Sequence, residues 1–299
     1  MPSSKKTNKY TVVGLGELLW DVFLDEKKMG GAPANFAYLA NELGEYGVIV
    51  SSVGDDKLGK EIKNNIVDLG LNSRYICTDN NHPTGIVNIK LDEMGGPDYT
   101  IHENVAWDFI PWNSNLQRLA ERTDAVCFGS LCQRNEVSRN TINKFLKSVK
   151  PDCFRIFDIN LRQSYFDYEI IHSSLKLSNV LKLNNEELRI LTNLLKINGT
   201  EKEIIKKITS QYNLQLIALS SGEKGSLLYG KGEYIVHKGF KVKVVDTVGA
   251  GDAFAAVLAV SLLRGKPIDS INEHANKVAS YVCSMSGATP KLPHYLIKF

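Results

Sequence analysis

Short apolar runs alternate with amphipathic stretches along most of the chain. "TVVGLG" (11–16), "VIVSSVG" (48–54), "DAVCFG" (124–129), "CFRIFD" (153–158), "NVLKL" (179–183) and "QLIALS" (215–220) predict buried strands. "PANFAYLANELG" (33–44) predicts a helix. Pro33 suits its first turn, Phe36, Leu39, Ala40 and Leu43 share one face, and Gly44 ends it. "KLGKEIKNNIVDLG" (57–70) predicts another helix closed by glycine, and further helices fit 136–148, 168–177, 186–194 and 201–212. This βαβα rhythm predicts an α/β domain whose mostly parallel sheet is covered on both faces. One segment breaks it. "TGIVNIKLDEMGGPDYTIHENVAWD" (84–108) alternates apolar and polar residues on either side of a Gly-Gly-Pro turn at 95–97, which predicts a hairpin flap beside the main sheet. No internal repeat, low-complexity tract or dividing linker interrupts the 299 residues, so a single domain over 1–299 is expected.

Composition narrows the function classes. With 43% hydrophobic residues the chain can bury a sizeable core. A net charge of +3 without a concentrated basic face gives no case for nucleic acid. The first ten residues, MPSSKKTNKY, read as a flexible leader and lack the apolar core of a signal peptide. The longest apolar stretch, around 253–263, is too short to span a bilayer. Five scattered cysteines with no CxxC pair argue against zinc and disulfides and fit reduced thiols in the cytoplasm.

The candidate chemistry lies where predicted strands end. "GLGELLWD" (14–21) lacks the third glycine of a dinucleotide fingerprint, so a nicotinamide-binding reading fails. It does place Asp21 just past a strand, where ligands bind in α/β sheets and a carboxylate can accept from hydroxyl groups. A solvated turn aspartate explains Asp21 as well. In "MGGAPANFA" (29–37), Gly30 and Gly31 allow close approach to the backbone, and Asn35 offers a donor and an acceptor, a combination that suits a polyol. In "FDINLRQ" (157–163), Asn160 and Arg162 follow strand-ending Asp158; the arginine suits a phosphate or a sugar, or else a surface ion pair.

Asn184 and Glu187 in "LKLNNEE" stand three apart on one turn. That spacing suits a hydrated magnesium ion beside a nucleotide and equally an Asn N-cap with its capping-box Glu. Ser220, Gly222 and Gly225 in "LSSGEKGSLLY" form a tight polar turn between two strands, against which a nucleotide can lie; a plain hairpin turn is the simpler account. The sharpest signal is "DTVGAGDAFAAVLAVSLLRG" (246–265). Gly249-Ala250-Gly251 exposes backbone donors at a helix start, which suits an anion, yet Asp252 is itself an anion. Phosphoryl transfer reconciles the two: the turn holds the phosphoryl group, and Asp252 takes the proton of the attacking hydroxyl.

Taken together these motifs resemble the ribokinase-like carbohydrate kinases, the PfkB family, over residues 11–290. "GGAPANFAYLANELG" resembles the family's first signature and "DTVGAGDAFAAVLA" its second. "GELLWD", "GGAPAN", "SVGDDKLG", "DINLRQ" and "LNNEE" are most similar to the bacterial fructokinases. Where the family often has lysine-proline-asparagine, this chain has Lys182-Leu183-Asn184; the asparagine remains. The resemblance implies a three-layer α/β/α sandwich with a small β-strand lid built from about 17–30 and 84–108. It implies ATP-dependent phosphorylation of a primary hydroxyl, of D-fructose ahead of ribose, 2-keto-3-deoxygluconate or a nucleoside. Asp252 would be the base, Gly249 to Gly251 the anion hole, and Asp21, Gly31 and Asn35 the sugar contacts. Arg162 would reach the sugar or the phosphate, Asn184 and Glu187 would order magnesium and its waters, and Asn276 would lie near the adenine. Asp246–Val248 and "SGAT" (286–289) resemble loops that hold a monovalent cation in some members, which makes potassium a candidate. Pairing of two copies through the lid strands is also implied, since an exposed strand edge invites a partner. The rival from another class is a non-catalytic sugar- or nucleotide-binding regulator on the same fold.

Overall fold

The computed structural model describes residues 9–91 and 97–298. In chain order the elements are β1 (Thr11–Leu15), β2 (Leu19–Val22), β3 (Lys27–Gly30), α1 (Ala32–Glu42), β4 (Tyr46–Gly54), α2 (Lys57–Asp68), β5 (Ile76–Asp79), β6 (Gly85–Leu91), β7 (Pro97–Ile101), α3 (Ser114–Ala120), β8 (Ala125–Phe128) and α4 (Glu136–Ser148). They continue with β9 (Phe154–Asp158), α5 (Tyr168–Leu177), β10 (Val180–Asn184), α6 (Asn185–Leu195), α7 (Glu201–Tyr212), β11 (Leu216–Ser220), β12 (Ser226–Gly230), β13 (Glu233–His237), α8 (Ala250–Leu263), α9 (Ile268–Cys283) and α10 (His294–Ile297).

A nine-stranded sheet runs in the order β13-β12-β11-β10-β9-β8-β1-β4-β5. Every pairing from β11 to β5 is parallel, while β12 and β13 join antiparallel as a hairpin edge. Its apolar runs are continuous because both faces are buried. Neighbouring residues of one strand serve different cores: Val12 packs with α1, α2, α8 and α9, and Val13 with α3 to α7. Helix α8 is buried at every position from Ala253 to Ser261, as expected of a helix that is apolar all round. The result is the three-layer α/β/α architecture that the sequence rhythm predicts.

A second sheet of four strands, β3-β2-β6-β7, stands apart from the first. It joins the stretch after β1 to the predicted hairpin, in which Val87 to Leu91 pair antiparallel with Ile101 to Pro97. Gly95 and Gly96 of the expected turn, like residues 1–8 of the expected leader, lie outside the described residues. Asp56, at the N-cap of α2, ties the two sheets together. Its carboxylate accepts from the Gly59 amide (2.7 Å), the Thr84 amide (2.8 Å) and the Thr84 hydroxyl (2.7 Å), just where the chain enters β6. Burial pushes Asp56 up, but these bonds more than offset it and hold its pKa below the ordinary value. Trp20 of β2 donates to the Leu58 carbonyl (3.1 Å), and Lys27 of β3 pairs with Glu61, so α2 also props the small sheet.

Candidate active site

The chain leaves β1 toward β4 on one side, and β8 pairs on the other. Connections on the two sides diverge there, opening a crevice at the carboxyl ends of the strands. Glu17 after β1, Phe128 and Gly129 at the end of β8, and Asp158 and Asn160 at the end of β9 line it. Ala32, Pro33 and Phe36 of α1 and Asp252 of α8 close it.

Gly249 caps α8 in the left-handed conformation (φ 82°), and a Cβ there would come within 2.6 Å of Ala288, so no other residue fits. The first-turn amides, Gly251 and Asp252 among them, have no acceptor inside the helix and are available to an anion. Asp252 Oδ2 accepts from Asn35 Nδ2 at 2.8 Å, joining the two signature stretches across 217 residues of sequence. Burial, then the nearby Asp158 carboxylate, pushes the Asp252 pKa up to about 6, while Asn35, Lys182 and Arg162 pull the other way. Asp252 is therefore mostly ionised at neutral pH and basic enough to take a hydroxyl proton.

Below this turn lies a group that sequence reasoning passed over. Lys182 Nζ bonds both oxygens of Asp158, at 3.0 and 2.9 Å, and both side chains are buried. Burial works against the Lys182 charge, but Asp158 more than offsets it and holds the ammonium above its ordinary value. A Cβ on Gly251 would sit 2.8 Å from Lys182 Nζ, so the glycine leaves room for a cation beneath the anion-binding turn. The available signal was a lysine inside the apolar strand "VLKLN".

Asn184 and Glu187 form a capping box at α6: Asn184 Oδ1 accepts from the Glu187 amide (2.9 Å), and Glu187 Oε2 accepts from the Asn184 amide (2.8 Å). Glu187 Oε1 also accepts from the Leu161 amide (3.1 Å). Burial and Asp158 raise the Glu187 pKa, with Lys182 opposing them. Among the described residues no cluster of three His, Cys, Asp or Glu side chains is arranged to hold a metal directly. Since the oxygens already serve backbone amides, the pair fits a hydrated magnesium held through its waters.

Asp21 of β2 senses the charge of Arg162. Burial pushes its pKa up to about 6, and the Arg162 guanidinium counters. Gly30 lies against the Asp21 carboxylate, and Gly31 (φ 117°) presses on the backbone of Glu17. Arg162 is exposed and touches only the Leu161 carbonyl (3.2 Å) among its hydrogen bonds to described residues. Asn160, held at φ 40°, joins Asp158 in the crevice. Glu17 was missed; an acidic residue inside "GLGELLW" was its signal.

The remaining candidates lie along the neighbouring strand ends. Ser220 ends β11 beside Asn184 of β10, and Gly222 and Gly225 shape the hairpin into β12, the simpler of the two accounts of that turn. Gly222 has open space around it. The structure does not present Asn276 to that surface. Its amide donates to Ser226 Oγ (2.6 Å) and the Asn272 carbonyl (2.7 Å) inside a buried network. Asp246 clasps two loops, accepting from the Val248 amide (3.0 Å) and the Gly287 amide (3.1 Å).

A helix start with free first-turn amides and a buried carboxylate, at the switch point of a parallel sheet, can hold an anion beside a proton acceptor, as a phosphotransferase of the α/β class requires. Residues 11–294 match the pfkB family of carbohydrate kinases, and the chain belongs to that family. It is 31% identical over 283 residues to a sugar kinase of Pyrococcus horikoshii, covering 91% of this chain and 87% of that one. It is 27% identical over 270 residues to a fructokinase of Salmonella typhimurium, covering 88% and 86%. The crystal structure of the P. horikoshii kinase, described as uncharacterized, superposes with a TM-score of 0.83 at 28% identity over 97% of each chain. Its complex with ATP superposes at 0.80 over 94% of each. The family makes the chain a carbohydrate kinase.

Proposed function

We propose that this kinase transfers the terminal phosphoryl group of ATP to the primary hydroxyl of D-fructose, giving fructose 6-phosphate. The observation that carries the reading is the bond from Asn35 to Asp252 at the start of α8, inside a crevice whose open polar groups are acidic or neutral. Of the cations nearby, Lys182 is already bound to Asp158, and the charge of Arg162 acts on Asp21 and Glu17. A substrate carboxylate would meet those acidic groups, so a neutral polyol is favoured over a sugar acid such as 2-keto-3-deoxygluconate. The fructokinases among the relatives favour fructose over ribose.

In this reading Asp252 accepts the proton of the attacking hydroxyl, and the oxygen takes the phosphoryl group in line, without a phospho-enzyme. The Gly249–Gly251 turn stabilises the negative charge of the transferring group. Magnesium, when bound with the nucleotide, supplies charge neutralisation; Asn184 and Glu187 would hold its waters. Asp21, Gly30, Gly31, Asn35 and Asn160 bind the sugar, and Arg162 lies where sugar and phosphate meet. The Ser220–Gly225 turn supports the nucleotide. The small sheet acts as the lid that excludes competing water.

The test is ADP release with MgATP over fructose, ribose, 2-keto-3-deoxygluconate, glucose, mannose and adenosine. A dominant kcat/KM for fructose is expected; dominance of another substrate would overturn the fructose assignment. Pairing of two chains through the small sheet, whose outer strands are β3 and β7, is also proposed. Sedimentation at micromolar concentration should then show twice the 33.3 kDa chain mass, and the chain mass itself would exclude pairing.

A further inference from the structure

One side chain in the crevice has no task in the scheme above. Glu17 is 3% exposed, and its Oε2 has no hydrogen-bond partner among the described residues. Asn35, equally buried, reaches the crevice through its bond to Asp252, and its Oδ1 is also unpartnered among the described residues. Burying such groups without partners costs free energy, so two of them, one lining the crevice beside Asp252 and one bonded to Asp252, point to a ligand that completes both. Gly31 lets the start of α1 press against the Glu17 backbone, and Pro33 and Phe36 of that helix wall the same crevice. Glu17 thereby lines the same crevice as Asp252.

We propose that Glu17 is a specificity-determining residue whose carboxyl hydrogen-bonds a second hydroxyl of the acceptor, close to the one that is phosphorylated. The inference rests on the placement of the acceptor hydroxyl at Asp252. Its ligand class is a neutral polyol with a free hydroxyl near the reacting carbon. A single attacking hydroxyl cannot satisfy Asp252, Asn35 Oδ1 and Glu17 together, whereas a polyol brings further donors and acceptors into the same space.

The surroundings shift Glu17 toward the neutral acid. Burial pushes its pKa up to about 7; its own backbone amide and Arg162 lower it, while Asp252 and Asp158 raise it further. In the neutral form it both donates and accepts, matching a hydroxyl, and it adds no further negative charge to those of Asp252 and Asp158.

Glu17→Gln keeps a neutral donor and acceptor of the same size, whereas Glu17→Met keeps the volume and removes both. On the sugar that the wild type uses best, E17Q is expected to stay within about fivefold of wild-type kcat/KM, and E17M to lose about 10²-fold, with KM for ATP unchanged in both. Monodeoxy analogues of that sugar identify the partner hydroxyl. The analogue that costs the wild type about 10²-fold should cost E17M almost nothing more. If E17M does not fold, Glu17→Asp, which withdraws the carboxyl by one methylene, is read against the same analogues. E17M turnover near wild type, E17Q as impaired as E17M, or fully additive deoxy losses would each overturn the inference. Asp252→Asn is the control: an active D252N overturns the placement of the acceptor, whereas an inactive D252N beside a fully active E17M overturns the role of Glu17 alone.

Discussion

Asp252→Asn is expected to lower kcat about 10³-fold while raising the stability of the folded chain at pH 8. The loss follows from removing a positioned base, an effect that typically spans about 10² to 10⁴. ATP binding should persist, because the anion-binding turn is built from backbone. The stability gain follows from linkage. The Asp252 carboxyl has a folded pKa of about 6 against an ordinary 3.8, so the folded state favours the protonated form. Its contribution to stability is present below about pH 4 and is lost as pH rises through about 6. Above that, the ionised carboxylate costs at most about 3 kcal/mol, less whatever solvent screens at the crevice mouth, and asparagine removes the cost. Thermal unfolding should show D252N a few degrees above wild type at pH 8 and level with it at pH 4. The same group gives the wild type its acid limb: kcat/KM for the sugar should fall about tenfold per unit below pH 6. Asp21 also titrates near 6, so the limb belongs to the crevice as a whole. A D252N that is inactive but no more stable at pH 8 would mean that burial does not strain this carboxylate.

The strands and helices that the apolar pattern locates are those with enough buried apolar residues to show a period. β1, β4, β9 and β11 and helices α1, α2, α4 and α7 fall where the pattern places them, within a residue or two. What escapes the pattern has polar residues turned inward or too few residues to show a period. Helix α9 buries Asn272, His274 and Asn276 on its packed face, which interrupts the apolar stripe. β2 and β3 have four residues each, β3 being "KKMG", and are recognisable as sheet only through their pairing with each other and with β6.

In the crevice, the residues read from sequence stand on turns or helix starts, where glycine, asparagine and aspartate signal themselves by type. Asp252 after Gly-Ala-Gly and Asn35 after Gly-Gly are of this kind, and the bond between them joins two turns that sequence reading treated separately. Glu17 and Lys182 were harder because each is a charge among apolar residues of a strand or its immediate continuation. Whether such a charge turns outward or lies buried against a partner is decided by a neighbouring strand. For Lys182 that partner is Asp158 of β9, 24 residues away, and the local pattern carries no trace of the pairing.

Lys182→Met should therefore be among the most damaging changes, in a way that separates charge from packing. Removing one partner of a buried ion pair leaves the other uncompensated and costs about 3–5 kcal/mol. Methionine nearly preserves the apolar stem, so most of that loss would come from the stranded Asp158 carboxylate. Asp158 already raises the pKa of Asp252, Glu187 and Glu17, and Lys182 opposes it at Asp252 and Glu187. Without the ammonium, the acid limb of kcat/KM should move up by about one pH unit, and kcat should fall at least tenfold as the turn loses the cation beneath Gly251. The double variant Asp158→Asn with Lys182→Met removes both charges. Denaturant unfolding should show it recovering most of the lost stability, and its acid limb should return to or below the wild-type position. Its kcat should stay low, because the cation is still missing. A limb that does not move in the single variant would mean that Asp158 and Asp252 do not sense each other. Full activity in the double variant would mean that the ion pair supports the fold and that the transferring phosphoryl group never meets its positive end.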